Sequence, residues 1–203
     1  MAKITRGFLP RESRVRASWV PPGQYDIGDA WPVLTAEVTP KISTEDWTFR
    51  VEGLVEHPQV WSWEEIHALP PSSYTGDIHC VTSWSKHDVT FGGVSVDTLL
   101  EAAGVLPNAT HIVAFCYTGY TTNLPLADVT GGRAWVAFTA EGQPLSPNHG
   151  GPARLLVPHL YFWKSAKYVA GLRLLDHDEP GFWEVRGYHN HADPWREERY
   201  SGQ

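Results

Sequence analysis

The alternation of bulky and polar residues along the chain predicts a protein built mainly from short β-strands. Residues 47–55 show this alternation, as expected for a strand that turns one face towards a core. Residues 74–81 are predicted to form another strand, which ends near Cys80. Runs of β-branched, aliphatic and aromatic residues predict further strands at 111–115, 133–138, 155–157 and 168–175. The pattern therefore favours a chain dominated by strands.

Two short helices are predicted among these strands. Residues 95–104 carry an apolar stripe, begin with a serine suited to an N-cap and end with a glycine suited to a C-cap. Residues 63–69 follow Ser62, a second candidate N-cap, and are stopped by two prolines. This balance predicts a mixed α+β fold that is mostly β with few helices. No repeat or composition break divides the chain, so we expect one domain over residues 1–203, with residues 1–45 as an extended arm.

Composition and charge exclude several classes of protein. The 16 basic and 23 acidic side chains give a net charge of −7, which argues against non-specific nucleic-acid binding because that requires a dense basic face. No stretch approaches the roughly 20 apolar residues of a membrane span, and the first 16 residues lack the apolar run of a secretory signal. Two cysteines suit a reducing compartment. We therefore expect a cytoplasmic protein.

The first candidate for chemistry is Cys80, in the segment HCVTSWS at residues 79–85. A strand that runs into a turn at a cysteine can hold one thiolate at the mouth of a pocket. A buried, inert cysteine is the alternative, because free cysteines are among the most buried residues. No C-x-x-C motif occurs, which excludes a zinc knuckle, and a redox pair would require Cys116 to approach through folding.

Three further segments carry side chains suited to ligands. Residues 149–154 (HGGPAR) place two glycines between a histidine and an arginine, so the backbone can approach a ligand and the guanidinium can face a phosphate. Residues 161–168 (YFWKSAKY) combine two lysines and a serine with aromatic rings, a candidate anion cradle. Residues 117–126 (YTGYTTNLPL) suit a polar pocket wall or a surface loop. For residues 149–154 a plain turn with a surface arginine is the alternative, and for residues 161–168 the alternative is a solvated basic turn.

A cluster of histidines near the C-terminus is a separate candidate. Residues 187–194 (GYHNHADP) contain His189, His191 and Asp193 within five residues. This spacing could ligate a metal, and a zinc-dependent hydrolase is accordingly a distant alternative function. Alternating histidines on a loop do not fix a role, so the role of these residues stays open.

Taken together and in order, these segments resemble the sulfite oxidase family of molybdopterin-binding oxidoreductases. The similarity is to the stand-alone core domain, a group that includes the catalytic subunit of the bacterial periplasmic methionine-sulfoxide reductase, and it covers nearly the whole chain. It rests on the segments at 79–85 and 119–126, on HGGPARLLVP at 149–158 and on KSAK at 164–167. The resemblance implies the sulfite oxidase molybdopterin-binding core fold and a cofactor of molybdenum held by molybdopterin.

The resemblance also implies roles for individual residues. Cys80 matches the cysteine whose thiolate binds molybdenum, in agreement with the preference of such metals for soft ligands. Tyr120 matches a tyrosine that lines the substrate pocket beside the metal, and we expect a catalytic role in which its hydroxyl donates to the transferred oxygen. Arg16 lies where some members have an active-site arginine. Cofactor contacts are implied for His149, Arg154, Ser165, Ala166, Lys167 and either Tyr117 or Thr118.

Departures from the family pattern shape the expected function. Sulfite oxidases carry an arginine shortly after the ligand cysteine, where this chain has Trp84 and Ser85, followed by Lys86. We therefore expect two-electron oxygen-atom transfer on a small-molecule substrate, a sulfoxide or N-oxide rather than sulfite. No segment is suited to haem, flavin or an iron–sulfur cluster, so a separate electron carrier protein is the expected partner. The alternative is a non-catalytic molybdopterin-binding or interaction module of the same fold.

Overall fold

The structure, a computed structural model, describes residues 19–36 and 38–202. Arg16, the arginine named from the resemblance, lies outside the described residues. The strands are β1 (Tyr25–Asp26), β2 (Thr48–Gly53), β3 (Gln59–Ser62), β4 (Ser72–His79), β5 (Trp84–Ser95), β6 (His111–Cys116), β7 (Thr121–Pro125), β8 (Trp135–Ala140), β9 (Gln143–Pro144), β10 (Arg154–Leu156) and β11 (Val169–Leu175). The helices are α1 (Trp63–His67) and α2 (Val96–Ala103). The predicted fold class, mostly strands with few helices, is confirmed.

The strands form two sheets. In the first, β1, β5, β8 and β10 lie in that order, while β4 pairs with β5 and β9 with β8. In the second, the order is β3, β2, β11, β6 and β7. Two pairs are parallel, β1 with β5 and β2 with β11, and the other ladders are antiparallel.

Both helices begin at the residues that the sequence signals predict, and α2 also ends as predicted, whereas α1 ends at His67, two residues before the predicted end at Leu69. At α1, the Ser62 hydroxyl accepts from the Glu65 N–H and the Glu65 carboxylate accepts from the Ser62 N–H, which satisfies two free donors at once. At α2, Ser95 accepts from the Asp97 N–H, and Gly104 ends the helix with a φ of 68°. A positive φ of this kind favours glycine because it has no Cβ.

Five of the eleven described strands were not predicted: β1, β3, β5, β7 and β9. β5 runs for 12 residues, but its alternation is hidden by charged residues 86–88 and by a register shift at Gly92 and Gly93. A Cβ atom at Gly93 would collide with the Val136 carbonyl oxygen, so the close approach of β8 requires glycine there. β7 lies in the segment that suited a polar pocket wall or a surface loop.

The ends of strands from both sheets meet at one place. A large apolar core joins the second sheet, α2 and one face of the first sheet, and a smaller cluster containing Cys80 and Trp84 lies on the other face of the first sheet. β4 ends directly before Cys80, β10 begins at Arg154, and residues 165–168 lead into β11. The backbone N–H of Leu155 donates to the Ala166 carbonyl at 2.8 Å, which fixes these segments side by side.

None of the helices in the described part of the chain is long and apolar enough to cross a membrane.

Candidate active site

A cavity of about 300 Å³ lies where these strand ends meet. Its walls come from the N-terminal arm, the turn after β4, the residue before β7, the segments around β10 and the C-terminal loop. Seven of the residues named from the resemblance line it together: Cys80, Tyr120, His149, Arg154, Ser165, Ala166 and Lys167. Thr118 does not line it, although it lies in the adjoining turn between β6 and β7.

Cys80 is held by a tight turn at the end of β4. Its N–H donates to the Trp84 carbonyl at 2.8 Å, and the Ser83 N–H donates to the Cys80 carbonyl at 3.0 Å. The Thr82 hydroxyl donates to the sulfur at 3.2 Å. Burial raises the pKa of the Cys80 thiol, although the Thr82 hydrogen bond and the positive charge of Arg199 act in the opposite direction. A coordinating metal would remove the proton, because it stabilises the thiolate directly.

Arg154 and Lys167 place two positive charges side by side in the cavity wall. Arg154 is almost fully buried and donates to the carbonyls of His149 at 2.9 Å and Ser165 at 2.7 Å. Lys167 donates to the carbonyls of Leu34 and Asn148, both at 2.7 Å. Among the carboxylates that the structure describes, none lies within 4 Å of either cation.

Burial without a counter-charge lowers the pKa of both groups. Burial lowers the pKa of Arg154 to about 9. Burial together with the neighbouring Arg154 charge lowers the pKa of Lys167 to about 8. Both pKa values fall because the positive form is poorly compensated. An anion in the cavity would relieve this repulsion.

His149 joins the cavity wall to the N-terminal arm. Its ring lies 3.9 Å from the Trp31 ring, measured between centroids, and Nε2 lies 3.3 Å from the Trp31 carbonyl oxygen. Burial lowers the pKa of His149, so the ring is neutral at pH 7. Ser165 supports the same wall, because its hydroxyl accepts from the Val157 N–H at 2.8 Å.

The prediction that both lysines of the segment at 161–168 form an anion cradle is wrong for Lys164. It does not line the cavity. Its side chain is fully buried, lies 2.7 Å from the Glu184 carboxylate and donates to the Asn123 carbonyl at 2.8 Å. Because Glu184 also accepts from the Trp163 indole N–H at 2.9 Å, the ion pair supports the cavity wall from behind. Its own charge is already neutralised.

Lys86 and Ser85 also lie outside the cavity lining. The Lys86 ammonium donates to the Gly28 carbonyl at 2.9 Å, and the Ser85 hydroxyl is 2.8 Å from His79 Nδ1 in the protein interior. Trp84 does line the cavity. Of the positions at which the resemblance leads us to expect an arginine, Trp84 therefore presents an indole ring to the cavity and Ser85 does not reach it.

Sequence reasoning missed part of the aromatic wall. Tyr188 and Trp183, from the C-terminal loop, line the cavity beside Trp163, and the Tyr188 ring lies 5.2 Å from Trp163 and 4.8 Å from Trp183. Within residues 19–36 and 38–202, the Tyr188 hydroxyl has no hydrogen-bond partner. Tyr120 differs, because its hydroxyl donates to the Trp163 carbonyl at 2.8 Å. No local pattern marks Tyr188, which follows the cysteine by more than 100 residues.

The two C-terminal histidines, His189 and His191, lie beside buried carboxylates instead of forming a metal site. His191 lies between two carboxylates, with Nε2 3.2 Å from Asp128 and Nδ1 2.9 Å from Glu198. His189 is 3.4 Å from Glu198, and Asp193 accepts from the Trp195 N–H. In the described part of the chain, no group of three or more His, Cys, Asp or Glu residues could hold a metal ion. The geometry gives no support to a zinc site.

The cavity lining fits the cofactor that the resemblance implies. Cys80 offers a soft sulfur for molybdenum, and Arg154 and Lys167 offer uncompensated positive charge for an anionic phosphate. The Trp84 indole N–H is a further donor, since it is buried without a hydrogen-bond partner among the described residues. When the cofactor is bound, Cys80 would therefore hold the metal and the two cations would face its anionic end.

Comparisons with known proteins identify the family of the chain. Residues 36–183 match the family model of the oxidoreductase molybdopterin binding domain. The chain is 42% identical over 183 residues to "Uncharacterized oxidoreductase YuiH" of Bacillus subtilis (strain 168), covering 90% of this chain and 92% of that protein. It is 30% identical over 179 residues to "Protein-methionine-sulfoxide reductase catalytic subunit MsrP" of Gluconobacter oxydans (strain 621H), covering 79% and 56%.

A solved structure shares the fold. The sulfane dehydrogenase SoxCD from Paracoccus pantotrophus superposes with a TM-score of 0.68 at 25% identity, covering 77% of this chain and 46% of that chain. This chain therefore spans about half the length of the MsrP and SoxCD chains. On the family match, the chain belongs to the sulfite oxidase family of molybdopterin-binding oxidoreductases, with molybdenum–molybdopterin as its cofactor.

Proposed function

We propose that the protein reduces a small neutral oxide, a sulfoxide or an N-oxide, by two-electron oxygen-atom transfer. The observation that carries this proposal is the aromatic wall beside Cys80, to which Trp84, Trp163, Trp183 and Tyr188 contribute. Sulfite is a small anion, and a pocket that selects it needs positive potential. The described basic side chains of the lining are Arg154 and Lys167, and an anionic cofactor would neutralise both.

A sulfoxide suits these walls for physical reasons. Its alkyl groups and sulfur can pack against aromatic rings, and sulfur–aromatic contacts are favourable by about 0.3–1.5 kcal/mol. Its oxygen is a hydrogen-bond acceptor and therefore needs a donor in the pocket. The MsrP relative is named a methionine-sulfoxide reductase, which supports a substrate of this class.

The reaction needs a proton source as well as electrons. Reduction of a sulfoxide consumes two electrons and two protons and leaves a sulfide and water. Molybdenum–molybdopterin supplies the two-electron redox chemistry when it is bound. The chain supplies the walls that orient the substrate and a group that holds a proton close to the transferred oxygen.

Tyr188 is the tyrosine that fits the role of proton donor. Burial, together with nearby Tyr200 and Cys80, raises the pKa of its hydroxyl, which is therefore protonated at neutral pH. Its proton is not donated to another described residue. The Tyr120 proton, in contrast, is directed to the Trp163 carbonyl. We therefore assign the donor role to Tyr188 and a wall-forming role to Tyr120.

The electrons are proposed to come from a separate carrier protein. The MsrP relative is named a catalytic subunit, and this wording supports a separate redox partner. The sequence contains no C-x-x-C-H haem attachment motif.

The test is direct comparison of substrates in protein made in a host that synthesises the cofactor. Molybdenum and pterin are measured first, followed by reduction of dimethyl sulfoxide and trimethylamine N-oxide with reduced benzyl viologen. Sulfite oxidation with ferricyanide is measured in parallel. We expect turnover of a neutral oxide and poor sulfite oxidation. Efficient sulfite oxidation with a micromolar KM would contradict the proposal, and full cofactor occupancy without any turnover would favour the non-catalytic module.

A further inference from the structure

Two segments outside the family match meet beside the Cys80 turn. The match covers residues 36–183, whereas Arg199 follows it and Pro22 precedes it. The Arg199 guanidinium donates through Nη1 to the Val81 carbonyl at 2.7 Å and through Nη2 to the Pro22 carbonyl at 3.3 Å. One side chain therefore joins the cysteine turn, the N-terminal arm and the C-terminal segment.

The arm adds two hydrogen bonds to the same turn. The Gln24 side-chain amide, which is buried, donates to the Cys80 carbonyl at 3.1 Å. The Tyr25 N–H donates to the Ser83 carbonyl at 2.9 Å. The carbonyls of Cys80, Val81 and Ser83 thus each accept a hydrogen bond from a terminal segment. We call Pro22, Gly23, Gln24 and Arg199 the terminal clasp.

The terminal clasp is packed closely enough to fix its own geometry. Gly23 has a φ of 71°, and a Cβ atom there would lie 2.9 Å from Arg199 Nη2 and 2.7 Å from Glu197 Oε1. The positive φ favours glycine at this position, and a Cβ atom there would displace the ends of the Glu197 and Arg199 side chains. On its other side, the guanidinium lies over the Tyr161 ring, 5.0 Å from the centroid.

We propose that Arg199 is a positioning residue for the metal-binding cysteine. Through the Val81 carbonyl, the terminal clasp sets the direction in which the Cys80 sulfur faces the cofactor. Arginine is required because its planar fork reaches two carbonyls at once, whereas a lysine ammonium at the end of a flexible chain does not present such a fork. The inference rests on Cys80 as the metal ligand and does not depend on which oxide is reduced.

The test compares variants of Arg199 with a variant of Arg196, an exposed arginine on the same segment whose side chain is 70% exposed. Arg199→Met, Arg199→Lys and Arg196→Met are prepared with cofactor. The readouts are the molybdenum content, the Mo(V) electron paramagnetic resonance spectrum, the thiolate-to-molybdenum absorption band and the viologen-dependent kcat and KM.

We expect Arg199→Met to retain molybdenum but to shift the Mo(V) g-values and the absorption band. Its kcat should fall roughly tenfold to a hundredfold with KM little changed, because displacement of a reacting group by about 1 Å has effects of that size. Arg199→Lys should lie between this variant and the wild type. Arg196→Met should match the wild type in every readout.

A second variant keeps the test decisive if Arg199→Met does not fold. Gly23→Ala leaves Arg199 in place but displaces its guanidinium, so it should shift the same spectra. Wild-type spectra in both Gly23→Ala and Arg199→Lys, or a lowered Tm in Arg199→Met with unchanged spectra, would overturn the inference. Failure of the proposed function would instead appear in the wild type, as absent turnover of neutral oxides with an unperturbed Mo(V) signal.

Discussion

Cys80 and Cys116 are both buried thiols outside any disulfide, yet their surroundings differ. Cys80 follows β4, lines the cavity and accepts a hydrogen bond from Thr82. Cys116 ends β6, pairs with Val169 on β11 and belongs to the large apolar core. Position rather than residue type therefore selects the cysteine that can meet a metal.

Replacing Cys80 with serine tests this selection. A serine oxygen is a harder donor than a thiolate, so Cys80→Ser should abolish the thiolate-to-molybdenum band and the activity. Serine still accepts from Thr82, so Tm should change little. Cys116→Ser is the matched control and should keep the band, while a buried hydroxyl costs about 1–3 kcal/mol of unfolding free energy. Undiminished turnover of Cys80→Ser would show that Cys80 is not the ligand.

The two cavity tyrosines should respond differently to loss of the hydroxyl. Tyr188→Phe should lower kcat roughly a hundredfold or more, the scale of a lost proton donor, with little effect on KM or Tm. Tyr120→Phe should mainly lower stability by about 1 kcal/mol, because it loses a hydrogen bond to the Trp163 carbonyl. Steady-state kinetics and thermal unfolding separate these effects. The opposite pattern would assign the donor role to Tyr120.

Lys167 is the cavity cation whose loss should act most selectively on the cofactor. Both cations donate to two carbonyls, but Arg154 is almost fully buried whereas Lys167 is partly exposed, so removal of Arg154 would weaken the fold more. A charge-assisted contact of about 1.5–3 kcal/mol implies roughly ten- to hundredfold weaker retention in Lys167→Ala. Molybdenum content after gel filtration measures retention, with Lys86→Ala as the control outside the cavity. Full occupancy with reduced activity per molybdenum would place Lys167 in the substrate pocket instead.

At the scale of elements, the helices were predictable from sequence because their capping residues lie next to them in the chain. α1 and α2 carry their own caps at Ser62, Ser95 and Gly104. β7 carries no such local signal, because its buried polar residues form their hydrogen bonds with residues that are distant in sequence. Thr122 donates to Glu184, 62 positions away, and Asn123 accepts from Lys164. Such partners appear only in the folded chain, so a buried polar strand is easily interpreted as a loop.

The same limit applies to the candidate site. The predicted cofactor residues came from motifs that lie within short segments, and seven of the named residues do meet in the cavity. Lys164 was placed in the cradle because it lies in the same segment as Ser165 and Lys167, but its side chain pairs with Glu184 on the other side. Tyr188 was missed since only tertiary packing brings the C-terminal loop to the cavity.

The contact between the C-terminal segment and Asp128 should make stability depend on pH. The hydrogen bond to Asp128 is the main cause that raises the pKa of His191, and Glu198 adds to it. A raised folded-state pKa means that this contribution is complete below the unfolded value of about 6.5. It is lost as the pH rises through the folded value.

Urea unfolding of wild type and His191→Phe at pH 5.5 and pH 8.5 measures this dependence. The difference in unfolding free energy between the two proteins should be larger at pH 5.5. His177→Phe is the control, because exposed His177 pairs only with its neighbour Asp176 among the described residues. A difference that is equal at both pH values would show that His191 acts through packing and not through its charge.

At the scale of the whole molecule, the N-terminal arm closes the cavity over the cofactor end. Trp31 packs on His149 and lies 5.8 Å from the Phe91 ring, and the Leu34 carbonyl accepts from Lys167. The arm therefore engages two of the side chains that are expected to hold the cofactor. We expect these contacts to slow the exit of the cofactor.

Removing the Trp31 ring should therefore speed cofactor loss without changing the chemistry. Aromatic packing of about 0.5–1.5 kcal/mol implies up to about tenfold faster dissociation in Trp31→Ala. The measurement is molybdenum retained by the protein over time during dialysis, with activity expressed per bound molybdenum. Val38→Ala, at a position on the same arm that is 90% exposed, is the control and should lose cofactor at the wild-type rate. Equal rates in both variants would mean that the arm lies beside the cavity without retaining its contents.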